Sequence, residues 1–327
     1  MSLANIGATD LAKRGILDPA NYKTTTTSRG ITYNYFFSPP ANTGKRFLVF
    51  LHGWLGLSYD YRFQIDFFKE AGYGLVVPDM LGYGNTDKPT DPEVYKSSLI
   101  SRDIVDLLDA ESIDNNVVVI GHDWGSKIAT RLANYFPERF SAFGFLAVGN
   151  IPGAYFKTPY SEINKTHKTV HINYLGHLDS LLSLIHTADP VELMVHFAPL
   201  GALEAWVKGD QKSASTIWTP EEESYYRKAY SAPGAVEASL AWYKVAVSGI
   251  EGKDSESIPP ESIIVTKPVF FGVDLKDFVV LAAPMIQSTL STSAKPTIHL
   301  YDTAHWVQWE AKDEVNRDLL SWIERLE

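Results

Sequence analysis

Short hydrophobic runs alternate with segments of helical spacing along most of the chain. The runs are rich in β-branched and aromatic residues and are bounded by Gly, Pro or Asp, which is typical of buried strands. They are residues 31–37, 46–51, 74–78, 116–120, 143–148, 268–273 and 297–301. Apolar residues recur at helical spacing over residues 61–71, 99–108, 127–135, 284–290 and 313–326. This alternation predicts an α/β fold, a mostly parallel sheet with helices on both faces.

The alternation stops in the middle of the chain. Between about residues 151 and 250 no buried strand is predicted, and four segments have helical spacing: 178–186, 190–197, 220–229 and 235–247. The strand-helix alternation then resumes at Pro268. We therefore predict one core domain, formed by residues 1–150 and 251–327, that carries an inserted helical cap over residues 151–250.

Composition narrows the class of protein. The chain has 327 residues, 45% of them hydrophobic, and a net charge of −10, so a large core is expected and nucleic acid is a poor partner. It has no cysteine, which excludes disulfides, thiolate metal sites and a cysteine nucleophile. No signal peptide and no apolar run of about 18 residues is evident, so we expect a cytoplasmic protein without a membrane span.

The most specific motif is the run Gly121–Gly125, with the sequence Gly-His-Asp-Trp-Gly. It follows a predicted buried strand and precedes a predicted helix, which is the setting of a nucleophile elbow. In such an elbow a sharp turn exposes the central side chain, and flanking glycines let the strand and helix backbones approach closely. The alternative is that Asp123 only caps the following helix. The motif thus makes Asp123 the candidate nucleophile.

An aspartate at the elbow changes the expected chemistry. The usual residue is Ser, yet the chain contains no Gly-x-Ser-x-Gly run. A carboxylate attacks an sp³ carbon to give an ester, but it is a poor nucleophile toward amides and ordinary esters. Asp123 therefore indicates an alkyl electrophile as substrate rather than an acyl group.

Hydrolysis of such an ester needs a base, with an acid to orient it, in the chain order nucleophile, acid, histidine. His305 lies between the last predicted strand and the last predicted helix, where this order requires the base. Asp274 and Asp277 both follow the strand that ends at Val273. Their positions leave both as candidate acids, with Asp277 favoured slightly because it lies further into the loop.

The tetrahedral intermediate also needs donors for its oxyanion. We expect the backbone N–H of Trp124, directly after the nucleophile, and that of Trp54, after the third strand. The other histidines near these motifs, His52 and His122, are expected to bond to backbone, and His299 is expected to lie within a strand.

These motifs together resemble the α/β-hydrolase-fold epoxide hydrolases, both microbial and mammalian soluble forms. The resemblance covers the chain from about Tyr33 onward. It rests on four segments: the elbow Gly121–Gly125, the turn His52–Trp54, the loop Pro78–Gly84 and the run His305–Glu310.

The resemblance implies further roles. Lys276–Val279 is similar to the acid loop of this family, which favours Asp277 over Asp274. The family uses two tyrosines to hydrogen-bond the epoxide oxygen, and the resemblance places them at Tyr243 and Tyr174. The chain departs from the family at Leu55, where members often have Pro, and this puts the geometry of the oxyanion loop in question.

The predicted reaction is therefore the opening of a small apolar epoxide to a vicinal diol, with water as the second substrate and without a metal or organic cofactor. Haloalkane dehalogenation is the alternative, because it uses the same nucleophile, base and ester, with Trp124 and Trp54 as halide donors. The second alternative is a hydrolase-fold receptor that binds a ligand without converting it. The sequence leaves the oligomeric state open, with a homodimer as one candidate.

Overall fold

The central feature of the fold is one twisted sheet. The computed structural model describes residues 18–152, 177–197, 199 and 201–326. Within these residues eight strands form the sheet in the order β1-β2-β4-β3-β5-β6-β7-β8. The strands are β1 (Tyr22–Thr26), β2 (Thr32–Ser38), β3 (Phe47–Leu51), β4 (Gly74–Pro78), β5 (Val117–His122), β6 (Phe140–Leu146), β7 (Val265–Asp274) and β8 (Ser293–Tyr301).

The sheet is parallel from β4 to β8 and antiparallel at its β1–β2 edge. Every residue of β4 and β5 is buried, which explains why these strands are continuous apolar runs rather than alternating ones. The predicted α/β fold with a mostly parallel sheet is therefore confirmed. The sequence analysis missed β1, whose pattern is polar and largely exposed.

Six α-helices of the described residues accompany the sheet strands in sequence. They are α1 (Arg62–Glu70), α2 (Ser97–Ala110), α3 (Trp124–Tyr135), α10 (Ala282–Thr292), α11 (Val307–Glu310) and α12 (Lys312–Ile323). The predicted helices match five of these within a few residues, whereas α11 is a single short turn that the analysis did not predict. Helix α3 starts directly after β5, so the chain reverses sharply at Asp123.

A second group of helices lies between β6 and β7 in the sequence. Among the described residues these are α4 (Leu178–Ile185), α5 (Pro190–His196), α6 (Ala202–Lys208), α7 (Pro220–Tyr230), α8 (Ala235–Val247) and α9 (Ile250–Asp254). We call them the inserted helices. The periodicity indicated four of them, while α6 and α9 are additional. The division of the chain into a core domain and a cap domain stays a prediction.

The inserted helices are attached to the sheet side through buried polar contacts. Arg62 Nε of α1 lies 2.7 Å from Glu222 Oε1 of α7, and both side chains are almost fully buried. The Arg62 guanidinium also stacks on the Trp309 ring, with 4.2 Å to the ring centroid. The indole N–H of Trp242 donates to the carbonyl of Leu81 at 2.9 Å. Separating the inserted helices from the sheet side would therefore leave these buried polar groups without their partners, which opposes the separation.

None of the helices in the described part of the chain combines the length and hydrophobicity that a bilayer crossing requires.

The buried ion pair between Arg62 and Glu222 gives a stability prediction. Glu222→Gln keeps the shape and the bond to the Thr219 N–H that starts α7, but it leaves the Arg62 charge buried without its carboxylate. We expect the free energy of unfolding, measured by urea denaturation, to fall by about 3 kcal/mol. The exposed neighbour gives the control, since Glu221→Gln should change it by less than about 0.5 kcal/mol. Equal effects of the two substitutions would contradict the prediction.

Candidate active site

Asp123 lies in a strained turn between β5 and α3. Its backbone has φ +52° and ψ −122°, a conformation that L-residues rarely adopt. A Cβ added to Gly121 would lie 2.3 Å from the carbonyl oxygen of Gly125, and one added to Gly125 would lie 1.9 Å from that of Leu51. Only glycine fits at both positions. The motif read from the sequence therefore forms the sharp turn expected of a nucleophile elbow.

The Asp123 carboxylate is nearly buried and faces two backbone donors. Its Oδ1 accepts the N–H of Trp54 at 2.8 Å, and the N–H of Trp124 interacts with the carboxylate electrostatically. Burial raises the pKa of Asp123 above its usual value, while the charge of His305 and these two N–H groups oppose that rise. One of the two donors expected for an oxyanion, the N–H of Trp54, thus already contacts a carboxylate oxygen, and the N–H of Trp124 follows directly after Asp123 in the chain.

His305 lies between two carboxylates. Its Nδ1 lies 2.7 Å from Asp277 Oδ2, and its Nε2 lies 3.7 Å from Asp123 Oδ2. Burial alone would lower the pKa of the imidazole, but Asp277 and then Asp123 raise it to about 9. Because folding raises this pKa, the interaction of His305 with the two carboxylates stabilises the fold. The stabilisation is complete at pH values below the unfolded pKa of about 6.5 and is lost as the pH rises through about 9.

The structure separates the two candidate acids that the sequence left open. Asp277 Oδ2 bonds to His305, while its Oδ1 accepts the N–H groups of Val279 and Val280 at 2.7 and 3.1 Å. Asp274 is also buried, but its described bond is a long one, 3.4 Å from the Thr303 hydroxyl. Burial and the nearby Asp277 raise the pKa of Asp274 well above its usual range. Of the two acids, only Asp277 is hydrogen-bonded to His305 and so placed to orient its ring.

The loop after β3 adopts a conformation that proline cannot. Leu55, where the resembled family often has Pro, has φ +55°, whereas the proline ring fixes φ near −65°. A Cβ on Gly53 would lie 2.3 Å from Asp123 Oδ1, so this backbone passes directly against the carboxylate. Leu55 thus replaces the family's Pro at a position with left-handed backbone. The oxyanion loop nevertheless keeps the expected contact, since the N–H of Trp54 bonds to Asp123.

The histidines beside the motifs bond to backbone as expected. His52 Nδ1 donates to the Gly53 carbonyl at 2.9 Å, and its Nε2 accepts the N–H of Met80 at 2.9 Å. His122 Nε2 donates to the carbonyl of His305 at 2.8 Å. His299 lies within β8, as predicted.

Tyr243 lies on α8 above the elbow. Its ring meets the rings of Trp54 and Trp124 edge to face, each at a centroid distance of 5.1 Å. The other tyrosine implied by the resemblance, Tyr174, lies outside the described residues. The structure therefore brings one of the two predicted tyrosines to the site.

A small pocket connects these groups, with a cavity volume of about 10 Å³. The sequence analysis named four of its lining residues and missed Ile185, Phe197 and Val279, which give it apolar walls. Ile185 ends α4 and Phe197 follows α5, so inserted helices form part of the wall. Nothing in the local pattern marks these three, because apolar residues at helix ends and in loops such as that of Val279 are equally common in cores. Among the described residues, no cluster of three or more His, Asp or Glu is arranged to hold a metal ion.

Comparisons with known proteins agree on the fold. The alpha/beta hydrolase fold family matches residues 47–312. The AB hydrolase superfamily protein YfhM of Bacillus subtilis is 26% identical over 84% of this chain and 89% of its own length. The epoxide hydrolase srdG of Neurospora crassa is 34% identical over 68% of this chain and 71% of its own. The solved structure of an epoxide hydrolase from an endophytic Streptomyces covers 93% of this chain and 95% of its own, with a TM-score of 0.72 and 21% identity.

The different environments of the two acids give a prediction. In Asp277→Asn, the imidazole of His305 stays buried but loses its hydrogen-bonded carboxylate, so its pKa should fall well below 9. Asp274 makes no described bond to His305 and is not among the groups that shift its pKa, so Asp274→Asn should leave that pKa at about 9. NMR titration of the His305 ring protons measures both. A pKa that follows Asp274 instead of Asp277 would reverse the assignment.

Proposed function

The chain belongs to the alpha/beta hydrolase fold family, and on that premise we propose that it hydrolyses epoxides to vicinal diols through a covalent ester on Asp123. The observation that carries the proposal is one arrangement of groups. A carboxylate on a strained elbow accepts the N–H of Trp54, and the ion-paired His305 and Tyr243 line the same pocket. A relative named as an epoxide hydrolase, 34% identical over two thirds of the chain, adds to this support.

In the first step, a carboxylate oxygen of Asp123 attacks one carbon of the epoxide. The ring C–O bond breaks, and its electron pair moves to the oxygen, which becomes an alkoxide unless it receives a proton. An alkoxide is a poor leaving group, so a neutral hydroxyl donor next to the oxygen lowers the barrier. We assign this role to the phenol of Tyr243, together with Tyr174 as the resemblance implies.

In the second step, His305 removes a proton from water, and the hydroxide attacks the ester carbonyl carbon. The oxyanion is held by the N–H groups of Trp54 and Trp124. As the intermediate collapses, the imidazolium returns its proton to the leaving alkoxide oxygen, which releases the diol. The proton left on the Asp123 carboxyl restores the Tyr243 phenol and regenerates the carboxylate. Formation of the ester removes the negative charge of Asp123, which is one of the groups that raise the pKa of His305. The first step therefore lowers the pKa of His305, which favours the neutral imidazole that acts as the base of the second step.

The inserted helices have a natural role in this scheme as a cap. They supply Tyr243 to the first step and the apolar residues Ile185 and Phe197 to the pocket wall. Water is restricted in such a pocket, which protects the ester until His305 activates the one molecule that attacks it. The expected substrate is accordingly a small apolar epoxide.

Haloalkane dehalogenation remains the second candidate, and one observation favours it. The indole Nε1 of Trp54 is buried without a hydrogen-bond partner among the described residues, and such a donor can hold a halide ion. Paired tyrosines have no task in that reaction, however, because halide leaves without a proton. Parallel assays for diol from styrene oxide and for halide from a bromoalkane separate the two, and a bound but unconverted ligand would favour a receptor.

The ester mechanism predicts where the oxygen of water goes. In a single turnover of styrene oxide in heavy-oxygen water, label should enter the carboxylate of Asp123, because water attacks the carbonyl carbon of the ester and not the substrate carbon. Mass analysis of the peptide that contains Asp123 measures it. An unlabelled enzyme in heavy water without substrate is the control, and label found only in the diol would rule out the ester.

The assignment of Tyr243 predicts a defect in one step. Tyr243→Phe should slow formation of the ester by about 10²-fold, as expected for loss of a general acid, while hydrolysis of the ester changes little. Rapid-quench measurement of the two rates tests this. The matched control is Tyr225→Phe, because Tyr225 lies on the neighbouring α7 and does not line the pocket. Unchanged ester formation in Tyr243→Phe would refute the assignment.

A further inference from the structure

The loop that carries His305 is closed by a carboxylate from the following helix. Glu310, the last residue of α11, accepts the N–H of Ala304 at 2.9 Å through Oε2 and the N–H of Trp306 at 3.0 Å through Oε1. These N–H groups lie on the two sides of His305, outside β8 and before the first residue of α11. One side chain thus satisfies two backbone donors that would otherwise have no described protein partner.

The peptide that joins His305 to Trp306 is held at both ends. Its N–H donates to Glu310, and its carbonyl accepts His122 Nε2 at 2.8 Å. His122 directly precedes Asp123, so this peptide is fixed to the elbow itself. With the imidazole bonded to Asp277, the backbone and the ring of His305 each have their own anchors.

Glu310 also acts on His305 by its charge. Three carboxylates raise the pKa of His305, with Asp277 first, then Asp123, then Glu310. The ring of His122 also packs against that of His305, with 4.9 Å between centroids, and His186 interacts with it electrostatically. Burial lowers the pKa of both, to about 3 for His186. The pKa of Glu310 is raised by burial of its carboxylate and lowered by its two N–H partners.

From these contacts we propose that Glu310 is a positioning residue, which holds the His305 backbone so that Nε2 faces the carbonyl of the Asp123 ester. The proposal rests on the proposed function, because it assigns Glu310 to the base of the second step. Glu310 should not affect the first step, because the attack by Asp123 and the proton donation by Tyr243 do not involve His305.

The test measures the two steps in Glu310 variants. Glu310→Ala should slow ester hydrolysis at least about 10-fold, because displacements of 1 Å at a reacting group cost up to about 10²-fold. Ester formation should stay within about two-fold of the wild type. In Glu310→Gln the rate of ester hydrolysis should lie between those of the wild type and Glu310→Ala. The glutamine carbonyl oxygen can accept one of the two N–H groups well, and its NH₂ group cannot accept the other.

Glu314→Gln is the matched control, because Glu314 is an exposed residue one turn further on α12 and should leave both rates unchanged. Only the carboxylate of Glu310 is shielded, by the loop that it closes, while the residue as a whole is exposed, so its replacement empties no core. A merely structural defect would reduce the active fraction and therefore the burst amplitude, not the hydrolysis rate alone. Wild-type hydrolysis rates in Glu310→Ala would overturn the proposal.

A titration without substrate separates this proposal from the proposed function. The pKa of His305, followed by NMR, should be lower in Glu310→Gln than in the wild type and in Glu314→Gln. If the wild type forms no ester from an epoxide, the proposed function fails, while the titration still tests the link between Glu310 and His305. An unchanged His305 pKa in Glu310→Gln would overturn that link.

Discussion

The structure depends on the cost of holding the Asp123 carboxylate away from water at the end of a parallel sheet. A buried carboxylate is stable as an ion only if hydrogen bonds and an opposite charge replace its solvent. The backbone N–H of Trp54 and the charge of His305 supply these, and the chain is distorted around them. The turn at Asp123 and the residue Leu55 both have positive φ. Gly53 leaves room for the Asp123 side chain, and Gly125 leaves room for the backbone of Leu51, which a Cβ would block in each case.

The same constraint explains how two aspartates at one strand end come to differ. Asp274 and Asp277 are both nearly buried, but Asp277 receives two backbone N–H groups and an imidazole, whereas Asp274 has one long hydroxyl contact. Hydrogen bonds to the charged form favour ionisation, and burial without them opposes it. Local partners, and not residue type or distance along the chain, therefore decide which acid can orient His305.

This difference also shows how far the sequence could be interpreted. The sheet and the elbow follow from patterns with a short range, since a buried strand followed by Gly-x-Asp-x-Gly defines a sharp turn by steric contact alone. Asp274 and Asp277 could not be separated in that way, because their hydrogen bonds depend on where β8 and its loop pack. The pocket residues Ile185 and Phe197 depend in the same way on how the inserted helices lie against the sheet.

The proposed mechanism divides its two steps between two parts of the chain. The donor of the first step, Tyr243, comes from the inserted helices, and the base of the second, His305, comes from the loop after β8. The two parts are tied close to the site, since the indole N–H of Trp306, next to His305, donates to the carbonyl of Ile185, which lines the pocket. Changes on the inserted helices can therefore alter which epoxide is bound and opened without altering the machinery that hydrolyses the ester. Changes near Trp306 affect both, because this residue belongs to the base loop and anchors the pocket wall.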